Sequence, residues 1–110
     1  MINKNIDIRD ACFEEVYKII SSDKSTVFIA DDMDAFVLQR LKKDFPKQYI
    51  NIGVAEQNLM NVAAGLAASG KKVFVYGICS YLTSRCFEQI KFSICSMKLP
   101  VAIIGVGPGF

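Results

Sequence analysis

The chain has 110 residues, of which 13 are Lys or Arg, 11 are Asp or Glu and none is His. A composition that is 52% hydrophobic and 22% charged excludes a disordered chain, and the length fits one domain. A net charge of +2 is too small to indicate a nucleic-acid partner.

Helices and strands are predicted to alternate along the whole chain. Asp7 is a plausible N-cap for the first helix, and the apolar run Thr26–Ala30 is typical of a buried strand. Pro46 ends the second helix. The remaining predicted elements are, in order, a helix over 35–45, a strand over 49–52, a helix over 55–69, a strand over 73–76, a helix over 82–96 and a strand over 101–105.

This alternation predicts an α/β fold with a parallel sheet and helices on both of its faces. Ligands of such folds bind where the strands end at their carboxyl edge. That edge is expected to carry Asp31, Asp32 and the segments 51–56, 77–81 and 105–110.

The residue types exclude several kinds of site. Without His, the chain holds no Ser-His-Asp triad, no Cys-His pair and no HExxH zinc site. The four cysteines form no CxxC pair, so we predict no metal site. The first ten residues are polar, and no apolar run approaches the ~18 residues of a membrane span. We therefore expect a cytoplasmic protein without membrane contact.

Glu56 and Tyr81 are candidate site residues with two interpretations each. Glu56 opens an apolar helix after the turn at Gly53, where an acid either favours the helix dipole or projects into a pocket. Tyr81 either packs in the core or forms the wall of a site for a flat ligand.

The acids after the first strand and the last glycines also leave alternatives open. Asp32 and Asp34 have the spacing of a metal-dependent phosphatase without the residue that follows in that pattern, and capping acids are the other interpretation. The glycines at 105, 107 and 109 do not complete a dinucleotide loop, because Phe110 stands where a third glycine belongs. We predict a glycine-rich turn there.

Residues 45–60, which read FPKQYINIGVAEQNLM, resemble the pyrimidine-binding domain of transketolases. The similarity continues through 63–67, 70–71, 74–78, 85–91 and 99–101, and covers roughly residues 26 to 110. The resemblance implies a thiamine diphosphate-binding fold of the pyrimidine-domain type, C-terminally incomplete, with residues 1–110 as a partial domain.

In that family the glutamate that matches Glu56 binds N1′ of the aminopyrimidine of thiamine diphosphate and shares a proton with it. The resemblance implies that Tyr81 and Ile78 line the pyrimidine pocket, with Ile78 where the family often has Phe. Asp31 matches the acid that ends the first strand, near the cofactor. Arg85 is carried over as a weaker candidate.

The resemblance also implies partners and an activity. Because the chain has no GDG motif, Mg²⁺ and the diphosphate are expected on a different domain or subunit, with the chains in a dimer or other homo-oligomer. The full-length protein is expected to transfer a two-carbon ketol unit between sugar phosphates, and the 110-residue chain alone to be inactive. The alternatives are a 1-deoxy-D-xylulose-5-phosphate synthase that uses pyruvate, a non-catalytic interaction domain of the same fold, and a phosphatase that uses Asp32 and Asp34.

Overall fold

The computed structural model describes residues 7–109, in which four strands form one parallel sheet. The order across the sheet is β2-β1-β3-β4, so the two inner strands are β1 and β3. The strands are β1 (Thr26–Ala30), β2 (Tyr49–Asn51), β3 (Lys72–Ile78) and β4 (Val101–Val106). The predicted α/β fold with a parallel sheet is confirmed.

The first helix precedes β1, and the other helices connect successive strands, as parallel pairing requires. They are α1 (Ile8–Ser22), α2 (Phe36–Asp44), α3 (Glu56–Ala68), α4 (Cys79–Thr83) and α5 (Phe87–Gln89), with a 3₁₀ turn at Pro46–Gln48 and a π-helix at Ile90–Cys95. None of the helices described is both long and apolar enough to cross a membrane.

The first helix begins where the sequence predicts. The Asp7 carboxylate accepts a hydrogen bond from the Arg9 N–H at 2.8 Å, which satisfies one of the free donors of the first turn. The backbone N–H of Asp23 donates to Ile19 O and ends the helix. Asp7 therefore fixes the start of α1 beside the carboxyl ends of the strands.

Two apolar cores cover the two faces of the sheet, because alternate residues of each strand point to opposite faces. On one face, α1 and α2 pack against the strands; this core contains Phe13, Val16, Ile20, Phe28, Ala30, Ala35, Val37, Leu38, Leu41 and Tyr76. On the other face lies α3 with the helices after β3; this core contains Val27, Ile29, Leu59, Met60, Ala63, Ala64, Ala67, Val73, Val75, Leu82, Cys86 and Ile94.

The prediction of one continuous helix over 82–96 is wrong. The chain turns into α4 directly after β3, bends at Ser84–Cys86, and continues as α5 and the π-helix. The wider π-helical turn carries one more residue between hydrogen-bonded groups than an α-turn. It still places Ile94 in the core on the α3 side.

The strand register brings the ends of all four strands to one edge. Ala30 pairs with Tyr76 and with Asn51, and Ile78 pairs with Val106. The first residues of α1, α3 and α4 lie at this same edge, since each helix runs back along the sheet. Side chains that follow β1 and β3 can therefore meet those at the start of α3.

Candidate functional site

Asp31 follows β1 directly and is buried at the carboxyl edge of the sheet. Its side chain is among the few polar ones that are buried, at 3% exposure, and its N–H donates to Tyr76 O at 3.1 Å. A Cβ on Gly77 would lie 3.2 Å from Asp31 Oδ2, closer than ordinary van der Waals contact. The missing side chain at position 77 thus leaves the space that the carboxyl occupies.

Glu56 is the first residue of α3 and is also only 3% exposed. The turn before it depends on Gly53, whose φ of +77° suits glycine. Asn51 Oδ1 fixes the turn, because it accepts from the Gly53 N–H at 3.0 Å and from the Asp32 N–H at 3.1 Å. The loop therefore holds Glu56 at the sheet edge in one orientation.

Arg85 reaches this acid from the bend after α4. Its Nη1 donates to Glu56 Oε2 at 3.2 Å, and its guanidinium lies 4.2 Å from the centre of the Tyr81 ring. The Gln57 side chain donates to Arg85 O at 3.2 Å and ties the bend to α3. The structure thus brings together Glu56, Arg85 and Tyr81.

The Asp31 and Glu56 carboxyls influence each other, since each shifts the pKa of the other. Burial, followed by the influence of Glu56, raises the pKa of Asp31 to about 6. Burial also acts to raise the pKa of Glu56, but its own backbone N–H, Asp31 and Arg85 outweigh burial and lower that pKa. Glu56 is therefore the ionised member of the pair.

Each of the two carboxyls keeps one oxygen without a partner. Asp31 Oδ1 and Glu56 Oε1 are buried and accept no hydrogen bond from the described residues. Buried acceptors without partners are uncommon, and a bound ligand is one explanation for them. A shallow cavity of about 260 Å³ opens beside Glu56, lined by residues 55–58 and by Arg85.

The remaining predicted site residues lie at the same edge. Tyr81 is 38% exposed, which favours a wall over core packing. Ile78 is the last residue of β3 and is half-buried without belonging to either core, and its role as a second wall stays a prediction.

The acids of the phosphatase alternative lie in separate local networks. Asp32 accepts from the Asn51 side-chain amide at 2.9 Å, while Asp34 accepts from the Ala35 N–H at 2.9 Å and pairs with Lys42. Within residues 7–109, no three His, Cys, Asp or Glu side chains converge as a metal site would require.

A second cavity at this edge was not predicted from the sequence. It has a volume of about 470 Å³, and the start of α1 and the end of β4 line it. Arg9 is its cation, and its buried Nε lies 3.6 Å from Asp10 Oδ1 in an ion pair. In the sequence, the only sign of this cavity was the position of Arg9 beside the N-cap Asp7. Only the fold shows that Arg9 lies at the carboxyl edge of the sheet.

Comparisons with known proteins agree with this architecture. A family model described as transketolase, pyrimidine binding domain, matches residues 4–109. Among solved structures, the chain is similar to a "Split gene transketolase, inactive beta4 tetramer", with a TM-score of 0.79 and 35% identity over 88% of this chain and 32% of the other.

Curated relatives include two kinds of enzyme. The chain is 34% identical to one subunit of the apulose-4-phosphate transketolase of Phocaeicola vulgatus, over 99% of this chain and 35% of the relative. It is 33% identical to a subunit of the 6-deoxy-6-sulfo-D-fructose transketolase of a Clostridium species, over 93% of this chain and 32% of the relative. It is also 34% identical to the 1-deoxy-D-xylulose-5-phosphate synthase of Clostridium perfringens, over 82% of this chain and 14% of the relative.

The chain thus spans about a third of the transketolase subunits it matches, and a smaller part of the synthase. The family model covers nearly all of the chain, and a solved transketolase shares its fold at 35% identity. The chain belongs to the transketolase pyrimidine-binding domain family.

Proposed function

We propose that this chain supplies the aminopyrimidine half of a thiamine diphosphate site in a transketolase that transfers a two-carbon ketol unit between sugar phosphates. The observation that carries the proposal is the Glu56 carboxyl. It is buried at the carboxyl edge of the sheet, held by Arg85, and has one oxygen without a partner.

The residues present fit an aminopyrimidine. A flat ring with a basic nitrogen needs an acid in a dry setting and a wall on which to lie. Glu56 Oε1 offers the acid, and the partly exposed Tyr81 ring, against which Arg85 lies, offers an aromatic wall. When bound, thiamine diphosphate supplies the carbon nucleophile that takes up the ketol unit.

The protein's own residues would position that ring and stabilise a proton on its basic nitrogen. Glu56 holds a proton at the ring nitrogen, and burial keeps water from competing for it. Arg85 fixes the Glu56 side chain through the second oxygen, so the first stays aimed at the ligand. Asp31 and Ile78 complete the edge on which the ring lies.

The diphosphate, with Mg²⁺, is assigned to a different domain or subunit of a dimer or larger homo-oligomer. The names of the relatives support this division, since two are transketolase subunits and the solved relative is described as an inactive tetramer. We propose on this basis that the chain is inactive alone. Arg9, the cation of the 470 Å³ cavity, is suited to a substrate phosphate.

A 1-deoxy-D-xylulose-5-phosphate synthase is the second candidate, because such an enzyme matches at a comparable identity of 34%. The two activities differ in their donor substrates. The native complex, purified through a tag on this chain, is incubated with ketose phosphates or with pyruvate, each with glyceraldehyde 3-phosphate. Ketose cleavage supports the transketolase, and pyruvate consumption identifies the synthase.

Glu56→Gln tests the role of the carboxylate in the same complex. The amide keeps the shape but cannot give up or take a proton, so kcat is expected to fall by about 10²–10⁴-fold. Glu88→Gln is the matched control, because Glu88 is exposed and lies outside the cluster around Glu56. An unchanged kcat in Glu56→Gln, with thiamine diphosphate still bound, contradicts the proposal.

A further inference from the structure

We propose that the amino edge of the sheet, opposite the site around Glu56, holds a second binding site, for a small molecule that carries a phosphate group. The site is a cavity of about 550 Å³, and Lys24, Lys47 and Lys71 are among the residues that line it. Its volume is within the usual range of small-molecule sites, about 300–1,000 Å³. This site goes beyond the proposed function and does not depend on it.

The three lysines come from three different connections of the chain. Lys24 lies between α1 and β1, Lys47 lies in the 3₁₀ turn before β2, and Lys71 lies between α3 and β3. Because the strands are parallel, the connections that enter them meet at one edge of the sheet. The fold thus brings to one cavity three cations that are far apart in the sequence.

Hydrogen bonds hold these connections in fixed positions. The Gln48 amide lies 3.0 Å from Asp23 O, and the Lys72 N–H donates to Ser25 O at 3.1 Å. The first contact joins two of the three connections, and the second joins the third to them. The cavity is therefore preorganised, which lowers the cost of binding a ligand.

The positive charge of the cavity is not balanced by neighbouring acids. Within the described residues, none of the three lysines is within ion-pair distance of an Asp or Glu. Asp23, the acid next to Lys24, is engaged by Lys72 at 2.9 Å. Asp44, the acid in the lining, accepts a hydrogen bond from the Tyr17 hydroxyl at 2.7 Å. The excess of cations over acids favours an anionic ligand.

The lining favours a phosphate group attached to an organic molecule. An ammonium group is a compact point charge that binds phosphate oxygens, and three of them suit a group with several charged oxygens. Phe45 and Pro46 add an apolar surface, and the Phe45 ring is held edge-on against the Tyr17 ring with the ring centres 5.5 Å apart. We expect the phosphate at the lysines and the organic part against Phe45 and Pro46.

The cavity is separate from the carboxyl edge of the sheet. The five residues of β1 lie between the two edges, and at about 3.3 Å for each residue they separate the edges by about 16 Å. A small molecule bound at the amino edge is therefore out of reach of Glu56, and it is not a substrate of a reaction there.

Lysine footprinting of the native complex, purified through a tag on this chain, tests the site. The complex is acetylated briefly with and without ligand, and mass spectrometry gives the modification rate of each lysine. The probes are inorganic phosphate and fructose 6-phosphate. We expect the rates at Lys24, Lys47 and Lys71 to fall together with one midpoint concentration. The rates at Lys18 and Lys91, two exposed lysines outside the cavity, should stay unchanged.

The two probes distinguish the sources of the phosphate group. Protection by inorganic phosphate assigns the site to the phosphate group alone, and protection by fructose 6-phosphate only shows that the organic part is also needed. Unphosphorylated fructose should protect no lysine. The proposal is overturned if neither probe protects the three lysines, if the control lysines are protected equally, or if only a polyglutamate peptide protects them.

Lys71→Gln removes the half-buried lysine of the three. The concentration of ligand that half-protects Lys24 should then rise by about tenfold or more, because one charged donor is lost. Lys18→Gln is the matched control, since Lys18 is exposed and pairs with Glu15 outside the cavity. An equal change in the two variants contradicts the assignment. The measurement needs no turnover, so a failure of the proposed function at Glu56 leaves its result unaffected.

Discussion

Gln48 holds three segments together through one side-chain amide. Its Nε2 lies within hydrogen-bond distance of three backbone carbonyls, those of Ile20 at 3.1 Å, Asp23 at 3.0 Å and Thr26 at 2.9 Å. These carbonyls belong to the end of α1, the following turn and the start of β1. Removing the amide takes this donor away from partly buried carbonyls, of which Asp23 O still accepts from the Thr26 N–H at 3.1 Å.

Gln48→Met tests this connection, because it keeps the length of the side chain and removes the donor. We expect the free energy of unfolding to fall by about 1–3 kcal/mol, measured by urea denaturation. Gln39→Met is the matched control on the exposed face of α2, with an expected change within about 0.5 kcal/mol. Equal changes in the two variants would contradict the role given to Gln48.

The site shows the limit of residue-scale prediction. The sequence placed Glu56 at the start of a helix and at the sheet edge, because the flanking turn and apolar pattern are local signals. The contact between Glu56 and Arg85 joins residues 29 positions apart and depends on the bend after α4. No periodicity encodes that bend, so Arg85 could be suggested only by resemblance.

At the scale of elements, strands were the most predictable because their apolar runs are continuous. The four strands lie where the pattern predicts, although β3 is longer than the predicted 73–76 at both ends. Lys72 and Ile78 extend it because pairing with β1 on one side and β4 on the other supplies backbone partners. The broken helix after β3 was missed, since its amphipathic spacing also fits one straight helix.

Replacing glycine with alanine is expected to change the stability of the protein in opposite directions at two positions, one in β4 and one in α3. A Cβ on Gly105 in β4 would lie 3.0 Å from the Cα of Cys79, so Gly105→Ala should destabilise the protein by about 1–3 kcal/mol. Gly65, in the interior of α3, has nothing within 4 Å of such a Cβ. Gly65→Ala should therefore stabilise the protein by about 0.5–1 kcal/mol.

Thermal and urea unfolding of the two alanine variants measures this difference. The sign of each change in the free energy of unfolding matters more than its size, because both substitutions add the same methyl group. A stabilising Gly105→Ala would show that β4 and α4 do not approach as closely as described.

At the scale of the whole molecule, two acids make stability depend on pH in opposite directions. Lys72 and Ser25 lower the pKa of Asp23, so its contribution is present at neutral pH and is lost in strong acid. Burial raises the pKa of Asp31 to about 6 from an ordinary value of 3.8. The folded state then binds more protons than the unfolded state between these values.

The free energy of unfolding is therefore expected to rise by about 1 kcal/mol as the pH falls from about 7 to 5. Urea denaturation at the two pH values measures the difference. The rise should be absent from Asp31→Asn, whose side chain does not titrate. A wild type that loses stability over this interval would contradict the raised proton affinity of Asp31.

The parallel order β2-β1-β3-β4 also has a consequence for synthesis of the chain. β1 is completely buried in the finished sheet, yet its central partner β3 is made only after α2, β2 and α3. Until then, the nascent chain carries an apolar five-residue strand with one short partner available. Because the central strand pairing joins residues far apart in the sequence, folding is expected to be slow. Until β3 leaves the ribosome, β1 must be protected from contact with other apolar segments.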